Sequence, residues 1–205
     1  MKEFWDSRYK EETYAYGIAP NVFLKESLDS LKLSGKMLFP AEGEGRNAVY
    51  AAKNGLEAYA FDISEEGKVK ATKLAEQEGV HIHYQVGNFF DLDLAKESYD
   101  AIALIYAHFP PSIAQSYYPK LLSMMKPRAY LILEGFSTKN LKYRAKNPNI
   151  GGPDKMEMLF SLEGIQAAFS ELELILLEEK EVELNEGLYH KGTGSVIRFI
   201  GRKKA

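Results

Sequence analysis

Short apolar segments alternate with segments of helical periodicity along most of this 205-residue chain. This alternation is typical of an α/β fold, because a crossover between parallel strands is usually made by a helix. The apolar run 99–106 is nearly continuous, which predicts a central strand that is covered on both faces. The predicted parallel strands are Lys36–Phe39, Glu57–Phe61, His81–Val86, Tyr99–Tyr106 and Ala129–Phe136.

Capping residues and glycines set the limits of the predicted helices. The helices are expected from Pro20 and Asn21 to Gly35, over Arg46–Asn54 before Gly55, from Ser64 to about Glu78, from a capping box at Ser112 and Gln115 to about Met125, and over Ser161–Phe169. Two further strand-like runs, Leu172–Leu184 and Ser195–Arg202, are joined by Asn185–Gly194. They predict an antiparallel pair at a sheet edge.

Length and charge narrow the class of protein. A chain of 205 residues with 45% hydrophobic residues can bury one substantial core, so we expect one domain over residues 1–205. A net charge of -3 gives no general reason to expect nucleic acid or an anionic membrane as the partner. No apolar stretch is long enough to span a membrane and the first ten residues are too charged for a signal peptide, so we expect a cytoplasmic protein. There is no cysteine and no metal-spaced histidine cluster, so no metal site is predicted.

The segment Leu38–Asn47 is the most informative for function, because a strand there breaks into glycines and then starts a helix. Gly43 and Gly45 let the backbone approach a ligand, and the following helix offers unpaired N–H groups. Asp62 closes the next strand, 19 residues after Gly43, where a carboxylate can accept both hydroxyls of a ribose. These features predict an adenosine-type ligand; the alternative is a tight turn followed by a helix-capping aspartate.

Two cofactors remain open at this turn. Gly43, Gly45 and Ala48 also satisfy the spacing found in nicotinamide-dependent enzymes. Glu42 and Glu44, however, would place like charge beside a pyrophosphate, whereas a ligand with an ammonium and a sulfonium tolerates acidic neighbours. The charges therefore favour S-adenosylmethionine over NAD(P).

Several motifs together resemble the class I methyltransferases of the tellurite-resistance type and the related thiopurine methyltransferases. The motifs are Trp5-Asp6-x-Arg8-Tyr9, Tyr16-Gly17-x-x-Pro20-Asn21-x-Phe23-Leu24, Gly43-x-Gly45-Arg46-Asn47, Tyr50–Gly55, Phe61-Asp62, Asn185–Gly187 and Tyr189-His190. The resemblance implies a Rossmann-like three-layer sandwich with about seven strands, mostly parallel, and an antiparallel last strand. Two departures are Phe39, where an acidic residue is common, and Ala41, where glycine is usual, so Glu42 or a backbone carbonyl would hold the cofactor's ammonium.

The resemblance also implies site residues. Asp62 would hold the ribose, Asn88 and Phe89 would face the adenine, and Ile105 and Tyr106 would line the methionine end, although Phe89 could instead be core. The full set of expected cofactor-binding residues is Trp5, Tyr16, Glu42, Gly43, Gly45, Asn47, Asp62, Ile63, Asn88, Phe89, Ile105 and Tyr106. The aromatic residues of the segment 1–34 would form a lid over the sulfonium.

Two histidines are candidate bases for the acceptor. His108 follows the fourth strand, and by the resemblance His190 faces the acceptor. The alternatives are that His108 hydrogen-bonds the Pro110-Pro111 turn and that His190 is a surface histidine. The segment 137–155 carries Lys139, Lys142, Arg144 and Lys146, which either receive an anionic acceptor or are solvated. We expect methyl transfer to a small molecule such as a chalcogen oxyanion or a thiol, with an NAD(P)-dependent oxidoreductase or a non-catalytic S-adenosylmethionine-binding protein as alternatives. The sequence predicts no oligomeric state.

Overall fold

The computed structural model describes residues 1–205 and contains one seven-stranded sheet. The strand order is β3-β2-β1-β4-β5-β7-β6, and only β7 runs antiparallel to its two neighbours. The strands are β1 Lys36–Pro40, β2 Glu57–Asp62, β3 His83–Val86, β4 Tyr99–Ile105, β5 Met125–Phe136, β6 Glu173–Glu186 and β7 His190–Arg202. This confirms the predicted sheet, its antiparallel last strand and the antiparallel pair at one edge.

Helices cover both faces of the sheet and make the three layers. They are α1 Lys2–Tyr9, α2 Val22–Leu31, α3 Arg46–Lys53, α4 Glu65–Gln77, α5 Pro111–Met124, α6 Asn140–Lys146 and α7 Leu162–Ala168. Met37 and Phe39 of β1 pack with α2, α3 and α4, whereas Leu38 packs with α5 and α7. Successive side chains of a strand point to opposite faces, so an apolar β1 is buried on both. None of the helices combines the length and the apolar character that crossing a bilayer requires.

Some predicted boundaries differ from the structure. Helix α2 ends at Leu31, before the predicted end at Gly35, and Lys32 follows it in the left-handed conformation. Helix α5 starts after Pro110 with Pro111 in its first turn, and no side chain caps it, so the capping box predicted at Ser112 is wrong. Strands β6 and β7 leave only residues 187–189 between them, because pairing with each other extends both strands beyond their apolar parts.

The segment 137–155 is more ordered than the predicted loop. It contains α6 and a one-turn 3-10 helix at Pro148–Ile150. The buried Asn140 side chain accepts a hydrogen bond from the Ser195 N–H and donates one to the Gly151 carbonyl. These long-range contacts fix a polar segment that no local pattern would order.

Candidate functional site

The turn between β1 and α3 adopts an unusual backbone. Ala41, Gly43 and Gly45 have φ angles of 53°, 64° and 87°. For a residue with a Cβ the left-handed region costs roughly 1–2 kcal/mol, so Ala41 occupies a position that suits glycine. The chain therefore keeps the shape of a glycine turn at a site where its sequence departs from the usual residue.

Asp62 meets this turn at the carboxyl edge of the sheet. Its Oδ2 accepts a hydrogen bond from the Gly43 N–H at 3.1 Å, and its Oδ1 accepts one from the Ser64 N–H at 3.0 Å. The Tyr84 hydroxyl donates to the Gly43 carbonyl at 2.6 Å, so Gly43 is held on both sides. Burial raises the pKa of Asp62 to about 6. A carboxylate has about four acceptor positions, so two remain for ligand hydroxyls.

Glu42 lies at the amino end of α3. Its Oε1 accepts hydrogen bonds from the Asn47 and Ala48 N–H groups at 2.8 and 2.9 Å. Burial raises the pKa of Glu42 to about 7 against these favourable bonds. Neither Glu42 nor Asp62 forms an ion pair with a basic side chain. Two carboxylates without a partner cation fit a cationic ligand and would repel a pyrophosphate.

Other residues of the turn hold the amino-terminal segment instead of facing a ligand cleft. Glu44 accepts from the Ala15 N–H at 2.8 Å and pairs with Lys70. Asn47 Oδ1 accepts from the Asn21 N–H at 2.9 Å. A Cβ on Gly45 would lie 2.5 Å from the Ala71 Cβ, so this glycine permits α3 to pack on α4. Gly45 and Asn47, expected to bind the cofactor, thus have structural partners.

Helix α1 lies across the turn. The Tyr9 hydroxyl lies only 2.5 Å from the position that a Cβ on Gly43 would occupy, so a side chain at residue 43 would clash with Tyr9. Trp5 stacks on Tyr9 with ring centroids 5.4 Å apart. Asp6 accepts a hydrogen bond from the Ser64 hydroxyl at 2.6 Å. The amino-terminal segment therefore covers the glycine turn and the residues next to Asp62.

Farther along, this segment contacts the hairpin between β6 and β7. The Leu188 N–H donates to the Ala15 carbonyl at 2.8 Å. A Cβ on Gly187 would lie 2.4 Å from the Gly17 nitrogen, so the two backbones touch with no side chain between them.

Asn88 and Phe89, the two residues predicted to face the adenine, lie in different environments in the structure. Phe89 is buried, stacks on Phe61 at 5.2 Å and contacts Tyr117 at 4.2 Å, so it belongs to the core. Asn88 is exposed, and its side-chain oxygen accepts from the Phe90 N–H. Ile63 and Ile105 are half-buried at the ends of their strands. Phe89 has no free ring face for stacking on a base, which corrects that expectation.

A polar network that the sequence analysis missed lies below Tyr106. The Tyr106 hydroxyl donates to Glu134 Oε1 at 3.1 Å, and Asn21 Nδ2 donates to the same oxygen at 2.6 Å. Glu134 Oε2 accepts from Arg198 Nε at 2.6 Å. The available signal is one charged residue inside each of two apolar strands, Glu134 in β5 and Arg198 in β7.

His190 starts β7 and is buried between aromatic rings. Its Nδ1 lies 2.9 Å from Glu186 Oε2, and its ring is 4.5 Å from Tyr16 and 4.4 Å from Tyr106. Burial lowers the pKa of His190, while Glu186 opposes this shift, so the ring is neutral at pH 7. Arg46 and His190 outweigh burial and hold the pKa of Glu186 at about 2. An ionised Glu186 favours the tautomer with the proton on Nδ1, which leaves a lone pair on Nε2.

His108 is different, because both of its ring nitrogens have backbone partners. Nδ1 lies 2.8 Å from the Met158 carbonyl, and Nε2 accepts from the Phe136 N–H at 3.0 Å. Burial lowers the pKa of His108 to about 4. No lone pair is left for an acceptor, so His108 connects β5 to the segment before α7 and is not placed to act as the base we expected.

A cavity of about 570 Å³ lies between the amino-terminal segment and strands β5, β6 and β7. Tyr106 and Glu186 form part of its wall, so it adjoins the polar network and the His190 environment. Arg46, Glu134 and Arg198 also line it, with residues 16–22 and 180–187. No basic residue of the segment 137–155 does.

The strand order and the glycine turn give the chain the Rossmann-like fold of the class I methyltransferases. Residues 40–128, from the end of β1 to the start of β5, match the family model described as a methyltransferase domain. The domain match and the fold are both similar to those of S-adenosylmethionine-dependent methyltransferases. The domain match favours S-adenosylmethionine over the nicotinamide cofactor that the glycine spacing also allowed. No curated protein sequence matches the chain.

Solved structures show the same fold at low identity. A protein studied for the conversion of a disulfide bond into a thioacetal group during echinomycin biosynthesis has a TM-score of 0.81 and 17% identity, over 100% of this chain and 92% of that one. TehB from Haemophilus influenzae has a TM-score of 0.72 and 15% identity, over 99% and 67%. A SAM-dependent methyltransferase from Methanosarcina mazei has a TM-score of 0.64 and 19% identity, over 82% and 92%.

Proposed function

We propose that the chain holds S-adenosylmethionine at the carboxyl edge of β1 and β2 and passes its methyl group to a small molecule in the adjoining cavity. The observation that carries this proposal is the pair of carboxylates without a cation partner, half-buried Glu42 and buried Asp62, at a left-handed turn. This turn leads into Arg46, which lines the cavity of about 570 Å³. Carboxylates in this state gain from a cationic ligand that has hydroxyl groups to donate.

Each residue has a role that follows from its position. Asp62 accepts the ribose hydroxyls at its two remaining acceptor positions, and Gly43 provides close backbone approach. Glu42 faces the ammonium. Ile63, Asn88, Ile105 and Tyr106 line the cleft, while Trp5 and Tyr16 come from the amino-terminal segment. We take residues 1–34 as the lid of a single methyltransferase domain that spans 1–205, with 137–155 on the acceptor side.

The cofactor supplies a methyl group already activated on a sulfonium, so the protein needs mainly to position and desolvate the acceptor. The acceptors that the family resemblance suggests are a chalcogen oxyanion and a thiol. A thiol must lose a proton before or during transfer, and we assign the role of its base to His190, whose Nδ1 lies 2.9 Å from Glu186. The protein studied for the conversion of a disulfide bond into a thioacetal group, which is a reaction at sulfur, has the same fold.

Calorimetric titration with S-adenosylhomocysteine tests the cofactor site. We expect binding by the wild type and a loss of about tenfold or more for Asp62→Asn, because hydrogen bonds to a charged group contribute roughly 1.5–3 kcal/mol. Asp29→Asn makes the same chemical change on an exposed part of α2 and serves as the matched control. Failure of both S-adenosylmethionine and its demethylated product to bind at millimolar concentration would overturn the proposal.

A further inference from the structure

The two edges of the sheet differ in how they oppose pairing with a further strand. Strand β6 forms one edge, and six of its 14 residues are glutamates. Charged side chains on an edge strand discourage other strands from adding to it. Residues 81–86 along the other edge are His-Ile-His-Tyr-Gln-Val, with no proline, no glycine and no Asp, Glu, Lys or Arg. The β3 edge therefore lacks the features that protect the β6 edge.

The backbone of the β3 edge has hydrogen-bonding groups that face outward. Strand β3 pairs only with β2, and the Gly87 N–H donates to the Asp62 carbonyl at 2.9 Å. Alternate residues of a strand in a parallel pair bond the same neighbour, so the N–H and C=O groups of Ile82, Tyr84 and Val86 point away from β2. These groups are positioned to pair with an added strand.

A stripe of polar side chains on α4 lies beside this edge. Lys68, Thr72 and Glu76 follow one another at intervals of four residues, so they share one face of the helix, and all three are exposed. With residues 80–85 they line a groove of about 530 Å³ along the edge. Neither Lys68 nor Glu76 has an oppositely charged side chain within 4.0 Å. Both charges are thus free to pair with another molecule.

The charges of this stripe are complementary to a second copy of the same stripe. In an interface with two-fold symmetry, residue i of one copy meets residue j of the other, and j meets i. With Thr72 opposite Thr72 on antiparallel helices, Lys68 of each copy meets Glu76 of the other. Because α4 packs against β3 through the apolar residues Ala75, Ile82 and Tyr84, the same two-fold axis also makes the two β3 strands antiparallel.

We propose that the protein forms a two-fold symmetric dimer in which β3 and α4 of one copy pair with β3 and α4 of the second. A stable interface buries at least about 1,200 Å², so the short strand needs the helix contact as well. Val69, which is 63% exposed and lies one turn before Thr72, adds apolar area to that contact. The cavity stays open, because residues 180–187 place it at the β6 edge.

Sedimentation equilibrium of the full chain tests the proposal. We expect the mass of two chains at about 100 µM and dissociation on dilution. Lys68→Glu and Glu76→Lys should each raise the Kd of the dimer by at least about tenfold, because each change creates two like-charge contacts across the axis. Lys25→Glu makes the same change on the exposed part of α2 and should leave the Kd unchanged.

An equimolar mixture of the two single variants distinguishes this arrangement from other dimers. One variant has acidic side chains at both positions of the stripe and the other has basic ones, so a mixed dimer regains both attractive contacts. The mixture should sediment as a dimer at a concentration where each variant alone is a monomer. The double variant Lys68→Glu/Glu76→Lys should likewise recover most of the wild-type affinity, because both contacts are restored with their signs exchanged.

Hydrogen exchange measures the strand pairing separately from the helix contact. The amides of Tyr84 and Val86 should exchange at least about tenfold more slowly in the wild-type dimer than in monomeric Lys68→Glu at the same concentration. A chain that remains a monomer at about 100 µM overturns the proposal, whatever other molecule the groove binds. A dimer that tolerates both single variants, or one in which these two amides exchange as in the monomer, overturns it as well.

Discussion

Arg46 and Glu186 are 140 residues apart in sequence, and their side chains meet at 3.0 Å. Arg46 begins the helix after the glycine turn, and Glu186 ends β6. The same guanidinium donates to the Tyr16 and Ala19 carbonyls at 3.3 and 3.4 Å, and the same carboxylate contacts His190. One ion pair therefore connects the glycine turn, the amino-terminal segment and the end of β6.

Removing one member of this pair should destabilise the fold strongly. For Arg46→Met we expect a loss of about 3–5 kcal/mol in the free energy of unfolding, because a buried carboxylate is left without its cation. The double variant Arg46→Met/Glu186→Leu should recover part of the loss. Urea unfolding measures both. A single variant that loses less than about 1 kcal/mol would show that the pair is not desolvated as described.

Gly45→Ala should disturb helix packing more than backbone strain alone explains. The new Cβ would meet the Ala71 Cβ at 2.5 Å, and φ is 87°. Gly55 has nearly the same φ, 85°, with nothing within 4 Å of its Cβ position, so Gly55→Ala is the matched control. We expect both to lose about 1 kcal/mol through strain, and Gly45→Ala a further 1–3 kcal/mol through overpacking. Equal losses in thermal or urea unfolding would contradict the packing role.

The cofactor-free protein should gain stability, relative to Asp62→Asn, as the pH falls. The pKa of Asp62 is raised from 3.8 to about 6, so between these values the native chain binds the proton more tightly than the unfolded chain. The stability difference between wild type and Asp62→Asn should be constant above pH 7 and should shift in favour of the wild type by about 3 kcal/mol towards pH 4. Urea unfolding at several pH values tests this, and a difference that moves the opposite way contradicts it.

Cofactor affinity should rise with pH until Glu42 is ionised. The pKa of Glu42 is raised to about 7 by burial, and a nearby ammonium would lower it, so binding releases a proton below pH 7. The affinity for S-adenosylhomocysteine should increase by up to about tenfold per pH unit between pH 5.5 and 7, then level off. Calorimetry in buffers of different ionisation enthalpy counts the proton. Glu42→Gln should reduce the slope to the part that Asp62 contributes through its pKa of about 6, whereas the exposed Glu76→Gln should leave the slope unchanged.

Alanine variants of the two buried histidines should differ in whether they lose activity or stability. His190→Ala should lower kcat by about 10²–10⁴ with a smaller change in KM, if Nε2 takes the acceptor proton. His108→Ala removes the partners of the Phe136 N–H and the Met158 carbonyl, so its main effect should be on unfolding, about 1–3 kcal/mol per unpaired group. A His108 variant that folds normally but loses turnover would return the catalytic role to His108.

The part of the site that depends on strand order could be predicted from the sequence. Strands β1 and β2 are neighbours, with Pro40 opposite Phe61, so the turn after one and the carboxylate after the other must lie together. The glycine pattern and the position of Asp62 were enough to place Gly43 and Asp62 at one sheet edge. The apolar runs likewise predicted the sheet, because a strand buried on both faces consists mostly of apolar residues.

Side-chain partners far apart in sequence could not be predicted. Asn47 and Glu44 are residue types expected in a turn that binds a cofactor. Their side chains instead accept hydrogen bonds from backbone N–H groups, Asn47 from Asn21 and Glu44 from Ala15 and Tyr16. His108 follows a central strand as a catalytic base would, but its nitrogens are taken by backbone groups 28 and 50 residues away. The spacing of residues along the sequence does not predict such pairs, because each pair depends on how the loops pack over the carboxyl edge of the sheet.

The contact between Gly17 and Gly187 limits which residues the amino-terminal segment and the β6–β7 hairpin can accept at these two positions. Any larger residue at either position would have to push the hairpin away from the amino-terminal segment. Because that segment also contacts the Gly43 turn through Tyr9, the displacement would reach the proposed methyl-donor site. Variation in the β6–β7 hairpin, where new acceptor specificity would be expected to arise, is thus coupled to how well the cofactor is enclosed.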